Sequence, residues 1–266
     1  MDAAGIDIQC LTMTVPGVHS EEPEIGIKLA QIVNDGFAQV MSEYPNRYTA
    51  LAILPLQDPT ASVVELERAV TQNRLAGGML FSHINGDNLD DEKFWPLYEK
   101  AAELDVPMFV HPIVPHHIGA LADYRLVAIE GFLFDTSTAA SRLIFSGVCE
   151  RFPTLTWILA HLGGTLPFLA ERMDRGFEVY PECREHLTKL PSSYLKQMYL
   201  DTFPHTPMAI EYTAAFSGAD KILMGTDYPH QIGDLPGGPA TTNQLNLSDA
   251  DKALINGGNA VRVLNL

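Results

Sequence analysis

The sequence predicts an α/β fold built on a parallel sheet, and three observations support this prediction. Short apolar runs alternate with longer amphipathic runs along the chain. Most of the short runs are continuously apolar, which is typical of parallel strands buried on both faces. No repeat, low-complexity tract or linker interrupts the pattern, so residues 1–266 are expected to form one domain.

Seven runs are predicted to be strands. Their residues are 5–11 (GIDIQCL), 48–56 (YTALAILPL), 77–84 (GGMLFSHI), 106–112 (VPMFVHP), 155–164 (LTWILAHLGG), 197–203 (QMYLDTF) and 221–230 (KILMGTDYPH).

Helices are predicted between these strands. Residues 25–44 carry apolar side chains at helical spacing. Asp58 and Pro59 are an N-cap and a first-turn proline, and they open a helix that runs through Leu75. An acidic stretch at 90–92 suits the positive end of a helix that reaches Leu104. The other predicted helices cover about 123–151, 166–180, 207–217 and 248–264, and residues 233–242 are predicted to be a loop.

Alternating strands and helices fit either an open doubly wound sheet or a closed (β/α)₈ barrel. A barrel needs eight strands, and only seven are visible. Residues 1–4 look like the last turn of a helix, which Gly5 ends. We therefore expect that strand 1 and most of the first helix of a barrel are missing from this sequence.

Composition and charge exclude several classes of function. Lys and Arg total 17 against 33 Asp and Glu, so the formal charge of -16 disfavours nucleic acid as a partner. The apolar runs are too short to span a membrane. Three cysteines without a CxxC pair argue against a disulfide framework, and no signal peptide is visible, so a cytoplasmic location is predicted.

Polar residues recur where the predicted strands end, and in a barrel these ends form the catalytic rim. A buried apolar strand has little reason to end in such a group unless the group is paired or holds a metal. The residues are His83, His111, His161, Asp201 and Asp227.

Three of these residues are the main candidates for chemistry. His111, in FVHP, is either a metal ligand or a histidine bonded to a loop carbonyl. His161, in LAHLGG, is either part of the site or incidental to a tight turn. Asp227, in GTDYPH, is either a ligand or proton acceptor, or a turn aspartate.

Five stretches occur in an order that resembles one family across essentially the whole chain. They are GIDIQ, NGDNLDDEKFWPLYEKAAELDVPMFVHP, RLIFSGVCERFPTLTWILAHLGGTLPF, GTDYPH and GNAVRVLNL. The chain resembles the amidohydrolase-related metalloenzymes, within the branch of aminocarboxymuconate-semialdehyde decarboxylase and the resorcylate and methylsalicylate decarboxylases. The resemblance implies a (β/α)₈ TIM-barrel-like fold.

The resemblance also implies roles for particular residues. His111 and Asp227 match metal ligands, Zn²⁺ being expected first and Mn²⁺ second. His161 matches an acid/base beside the metal. Arg172, in LPFLAER, matches an arginine that meets a substrate carboxylate, sometimes across a dimer, although a surface ion pair is equally expected. The family's strand-1 pair of ligands, HxH or ExH, is not in this sequence.

The other polar candidates have weaker support. His83 is expected either to line the pocket or to cap its own loop, and His230 either to bind substrate or to orient Asp227. Asp201 is expected to brace the rim. Histidines without supporting context are predicted to be surface or loop residues, and they are His19, His186 and His205.

The leading hypothesis is a metal-dependent, non-oxidative decarboxylase of an aromatic or enoic carboxylic acid, forming a homodimer or larger homo-oligomer. The alternative is a metal-dependent hydrolase of a lactone, amide or ester, because one fold supports both chemistries. A third hypothesis is an inactive truncated barrel, because only two direct ligands remain and metal binding is expected to be weak.

Overall fold

The computed structural model describes residues 1–203 and 206–266. His205, predicted to be a surface or loop residue, lies outside the described residues. Seven parallel strand runs are present among the described residues. They are β1 (Gln9–Leu11), β2 with β3 (Tyr48–Ala50 and Ala52–Ile53), β4 (Gly78–Phe81), β7 (Met108–His111), β8 (Trp157–Leu159), β9 (Tyr199–Asp201) and β10 (Ile222–Leu223). A short antiparallel hairpin, β5 (His83–Ile84) and β6 (Asp87–Asn88), follows β4.

The parallel strands pair in the order in which they occur along the chain. β1 pairs with β2, and the second sheet runs β3, β4, β7, β8, β9, β10. Leu51 lies between β2 and β3, and its N–H donates to the carbonyl of Leu11 at 3.0 Å. The two sheets are therefore joined at this residue. A doubly wound sheet reverses its strand order at a switch point, whereas a barrel keeps sequential order. The sequential order therefore supports a barrel-like sheet, with β1 and β10 as its two end strands.

The helices lie between the strands close to the predicted positions. Longer helices are α1 (Pro23–Glu43), α2 (Pro59–Thr71), α3 (Trp95–Glu103), α4 (Phe132–Phe145), α6 (Leu166–Val179) and α8 (Pro207–Ser217). Shorter ones are α5 (Val148–Arg151), α7 (Pro191–Leu195), α9 (Gly237–Gln244), α10 (Asp249–Ala253) and α11 (Asn259–Val263). No described helix is long and apolar enough to cross a membrane.

Three sequence predictions about helices need correction. The predicted helix 123–151 is interrupted, because a π-helical turn precedes α4 and Gly147 adopts φ 83° before α5. A second π-helical turn divides the predicted helix 248–264. Part of the predicted loop 233–242 forms α9. The capping predictions at Asp58 and Gly5 are confirmed, since Asp58 accepts a hydrogen bond from Ala61 N–H and Gly5 has φ 69°.

The core explains why the strand runs are continuously apolar. Side chains of the central strands are fully buried between the sheet interior and the surrounding helices, among them Leu80, Val110, Leu159 and Leu200. Because the strands are parallel, their carboxyl ends open at one edge of the sheet. The polar residues that end these strands therefore lie together at this edge, which is the mouth of the barrel-like sheet.

Candidate active site

Three candidate residues come together at this mouth. His111 ends β7, His161 follows β8, and Asp227 follows β10. One potential ligand atom from each residue lies within 4.8 Å of those from the other two. The topology produces this cluster, because the three residues are 50 or more positions apart in sequence and share only their location at strand ends.

His111 has one ring nitrogen in use and one available. Its Nδ1 lies 2.8 Å from the carbonyl oxygen of Pro112, which only accepts, so Nδ1 carries the proton. Nε2 is then left with a lone pair. Burial, together with nearby His230, lowers the pKa of His111 to about 4. The ring is therefore neutral near pH 7, which is the form that binds metal.

His161 is held in an unusual backbone conformation. Its φ is 58°, and Leu162, Gly163 and Gly164 that follow it also have positive φ values. Its ring is buried and lies 5.4 Å from the ring of His111, centroid to centroid. Burial, then the neighbouring His111 and His230, lower the pKa of His161 to about 3.

Nδ1 of His161 is buried and makes no hydrogen bond among the described residues. Buried polar atoms without a partner are rare, and an unpartnered imidazole nitrogen beside a carboxylate suits a metal site or a proton-transfer role. Two neutral imidazoles and one carboxylate form a donor set that fits Zn²⁺ or Mn²⁺. The residues present therefore fit the metal that the resemblance implies.

Two carboxylates lie at the mouth. Burial raises the pKa of Asp227, opposed by His230, which lowers it. Burial also raises the pKa of Asp201 to about 7, with a further contribution from the charge of Asp227. Asp201 Oδ1 accepts hydrogen bonds from the backbone N–H groups of His161 and Phe203, each at 3.0 Å. These bonds agree with its expected role as a brace.

A cavity of about 710 Å³ contains the cluster. His111, His161, Asp201, Asp227 and His230 all line it. Aromatic side chains flank the two histidines, with Phe109 at 6.1 Å from His111 and Phe203 at 5.9 Å from His161 between ring centroids. No Lys or Arg is among the lining residues of the described chain.

The three predicted substrate-binding residues have different locations. His230 lines the cavity, and its backbone N–H donates to the carbonyl of Asp227 at 3.0 Å. Arg172 is exposed on α6 and is not among the cavity-lining residues. The structure does not bring His83 into the cavity either. Its Nε2 donates to the carbonyl of Val114 at 3.0 Å and its Nδ1 accepts from Gly86 N–H at 3.2 Å, so both ring nitrogens hold local loops.

Ser82 supports His111, and the sequence pattern does not predict this role. Ser82, directly after β4, donates its N–H to the His111 carbonyl at 2.9 Å and accepts from Ile113 N–H at 3.0 Å through Oγ. Its hydroxyl also donates to Asp135 on α4. The only available signal was a serine between the strand and His83.

His19 lies in a loop, which is one of the two predicted placements, and it is not at the surface. This histidine is only 2% exposed and its ring lies 5.0 Å from that of Phe81. Phe81 in turn contacts His111 edge-on, with 6.4 Å between ring centroids. Phe81 of β4 thus packs against this loop residue, and sequence spacing does not reveal the contact.

The protein family described as "Amidohydrolase" matches residues 11–266.

The chain belongs to the amidohydrolase family.

Two relatives within the amidohydrolase family are decarboxylases with different substrates in their names. The 2-amino-3-carboxymuconate-6-semialdehyde decarboxylase of Dictyostelium discoideum is 33% identical over 264 residues, covering 98% of this chain and 73% of the relative. The structure of 5-carboxyvanillate decarboxylase from Sphingomonas paucimobilis is 32% identical with a TM-score of 0.94, covering 100% of this chain and 81% of that chain. These similarities confirm the predicted amidohydrolase branch and its TIM-barrel-like fold.

A third amidohydrolase relative has a metal and a ligand in its structure. It is 5-carboxyvanillate decarboxylase from Novosphingobium aromaticivorans, complexed with manganese and 4-hydroxy-3-methoxy-5-nitrobenzoic acid. It is 28% identical with a TM-score of 0.93, and the match covers 100% of this chain and 78% of that chain. The likeness supports metal dependence in the family without favouring the predicted zinc.

Proposed function

We propose that this chain is a metal-dependent, non-oxidative decarboxylase of an aromatic carboxylic acid. The observation that carries the proposal is the buried cluster of His111, His161 and Asp227 at a single mouth, in a chain whose named relatives are decarboxylases. The aromatic rings of Phe109 and Phe203 beside the cluster offer flat apolar contacts for a substrate ring.

His111 through Nε2 and Asp227 through its carboxylate would hold a divalent metal ion. When bound, the ion supplies positive charge that binds and orients the substrate carboxylate and an adjacent oxygen. The ring geometry of His111 suits this role, because the Pro112 carbonyl fixes both its tautomer and its orientation.

His161 would transfer the proton that replaces the carboxyl group. The proton adds to the ring carbon bearing the carboxylate, and ring electrons form the new C–H bond. The bond to the carboxylate then breaks, its electron pair restores the aromatic ring, and CO₂ leaves. Burial keeps His161 neutral in the free protein, and a bound anion beside it would raise its pKa toward the range needed for proton transfer.

We further propose that the substrate carries a single carboxylate within this cavity. The lining residues of the described chain include no Lys or Arg. A second buried carboxylate would therefore lack a positive partner, and burying an unpaired charge is costly. Arg172 could supply that partner only from a neighbouring subunit, because on its own chain it lies outside the cavity.

A homodimer is proposed on the exposed surface that includes Arg172. Phe168 on α6 and Met208 on α8 are each 79% exposed, and Tyr212 is 50% exposed. The two helices pack together, since the Tyr212 hydroxyl donates to the Pro167 carbonyl at 3.1 Å. Exposed apolar side chains grouped in this way are typical of subunit interfaces.

The deciding experiment is product analysis after reconstitution with Zn²⁺ or Mn²⁺. One panel contains hydroxybenzoates and their dicarboxylate analogues, and a second contains lactones, esters and amides. Each is incubated with the protein while CO₂ release and product formation are measured. Release of CO₂ with formation of the matching phenol supports the proposal. Opening of lactones, esters or amides without CO₂ would instead support the hydrolase alternative, and no product from either panel would contradict both.

The same reconstitution addresses the choice of metal. The resemblance favours zinc, whereas a donor set of one imidazole and one carboxylate accommodates either ion. Activity and bound metal are compared after loading with each ion separately. A cytoplasmic location remains a prediction from cysteine usage, to be tested by fractionation of the source cells.

A further inference from the structure

Asp201 makes an unusual pair of hydrogen bonds for a carboxylate that lines a cavity. It is the last residue of β9, whose neighbour β8 leads directly into His161. One oxygen, Oδ1, accepts from the backbone N–H groups of His161 and Phe203, each at 3.0 Å. The Asp201 side chain, at the end of β9, thus accepts a hydrogen bond from the main chain that follows β8.

The backbone that Asp201 contacts needs such support. His161 and Leu162 have φ values of 58° and 54°, in the left-handed region that residues with a Cβ rarely adopt. Each such residue is strained, and the conformation persists only where surrounding contacts determine it. Because the Cα–Cβ direction follows the backbone, the conformation of residue 161 sets where its imidazole points.

The surroundings of Asp201 give its carboxylate no other evident structural purpose. No Lys or Arg forms an ion pair with it in the described part of the chain. Gly225 lies against it, and a Cβ added at Gly225 would stand 2.9 Å from the Asp201 Cγ. The strand end of β10 therefore leaves space for the carboxylate to reach the His161 backbone.

We propose that Asp201 is a positioning residue that holds His161 in its left-handed conformation and thereby aims the imidazole at His111 and Asp227. The inference rests on the proposed function, because the aim of His161 matters only if the cluster binds metal and transfers a proton. Asp201 acts through the main chain of His161 and need not touch the substrate.

The test compares Asp201→Asn with Asp201→Ala. Asparagine keeps an Oδ1 that accepts from both N–H groups, whereas alanine removes the acceptor. Glu65→Ala is the matched control for loss of a buried carboxylate. Glu65 is 3% exposed and accepts from Asn34 and Arg68, away from the cluster.

Long-range ¹H–¹⁵N spectra of the metal-free proteins report the histidine rings, with the His161 signals assigned from His161→Gln. Zn²⁺ affinity is measured by competition with a chromophoric chelator, and CO₂ release is measured on the Zn²⁺-loaded proteins. D201A is expected to shift the His161 signals and to slow CO₂ release by about tenfold or more. Its Zn²⁺ affinity is expected to be unchanged, because His161 is proposed to transfer a proton and not to bind the metal. D201N is expected to keep the wild-type ring signals and a rate within about threefold of wild type, and E65A should lose stability without moving the His161 signals.

Several results would overturn the proposal. Unchanged His161 signals and CO₂ release in D201A would show that the bonds do not position the ring. Equal shifts in D201N and D201A would mean that charge rather than the acceptor matters, and this result remains decisive for D201N if D201A fails to fold. Equal shifts in E65A would reveal a general loss of stability. A wild-type protein that binds no Zn²⁺ would contradict the proposed function. The metal-free spectra would still test whether Asp201 positions the His161 ring.

Discussion

At the scale of single residues, the cluster consists of titratable groups in which burial disfavours the charged form. His111 and His161 are kept neutral by burial, and burial raises the pKa of Asp227. His161 and Asp227 also share left-handed backbone, with φ values of 58° and 50°. Strained backbone in residues with a Cβ is concentrated at functional sites, where the fold outweighs its cost.

The proposed roles predict different effects of two substitutions. Asp227→Asn should lose bound metal, because a neutral amide is a poor ligand for Zn²⁺ or Mn²⁺. His161→Gln should keep the metal and lose turnover by about 10²-fold or more, since it removes proton transfer. Elemental analysis and CO₂ release measure the two effects, with the exposed His186→Gln as control. Metal loss in H161Q would mean that His161 is itself a ligand.

At the scale of elements, the turn from β8 into α6 depends on its glycines. Gly164 has φ 66°, and a Cβ placed there would collide with the Leu133 carbonyl and the Ser137 hydroxyl of α4. Ser137 Oγ accepts from Thr165 N–H at 2.8 Å, so this contact also fixes the start of α6. The backbone of the turn between β8 and α6 thus lies close to α4, and this contact supports the segment that carries His161.

We predict that Gly164→Ala destabilises the protein by about 2 kcal/mol or more, because both its φ value and its space are unsuitable for a side chain. Gly36→Ala is the matched control. Gly36 lies on the exposed face of α1 with nothing within 4 Å of an added Cβ. The Gly36→Ala substitution should stabilise the helix by about 0.5–1 kcal/mol. Urea denaturation measures both, and an unaffected midpoint in G164A would contradict the packing argument.

At the scale of the whole molecule, buried titrating groups make stability depend on pH. Burial lowers the pKa of His19, His111 and His161 to about 4, 4 and 3, from an ordinary value of 6.5. Below pH 6.5 the unfolded chain gains protons that the folded protein excludes, so stability falls as pH drops toward 4. Asp201 opposes this, because its raised pKa of about 7 lets the folded protein keep a proton that the unfolded chain releases above its usual 3.8.

The metal-free protein is therefore predicted to become less stable as pH falls from 6.5 to 4, with these four groups contributing a net uptake of about two protons on unfolding. Urea titrations at several pH values measure the slope. His19→Asn should reduce it by about one proton without touching the cluster. A slope of zero in the wild-type protein would contradict the neutral, buried state of these histidines.

The proposed dimer gives a second prediction at this scale. Phe168→Asp should convert the dimer to a monomer, because it places a charge within an apolar interface. Ile32→Asp is the control, since Ile32 is 66% exposed on α1, away from α6 and α8. Light scattering measures the mass of each variant, and a wild-type monomer at micromolar concentration would contradict the dimer.

The sequence alone determined the parallel α/β fold, the strand runs and the chemically important strand ends. Apolar burial is local in sequence, so strands such as 106–112 are recognisable, and a polar residue that interrupts burial, such as His111 or Asp227, stands out. Resemblance then indicated the family and the barrel. Helix interruptions at Gly147 and within 254–258 escaped detection, because helical spacing continues across them.

Only the tertiary structure decided which polar residues meet. The sheet order brings His111, His161 and Asp227 within 4.8 Å, and it puts Asp201 against the His161 backbone. The same packing turns His83 toward its own loops and buries His19. The physical reason is that a side chain's direction and burial depend on neighbours from distant strands, and sequence spacing carries no record of those neighbours.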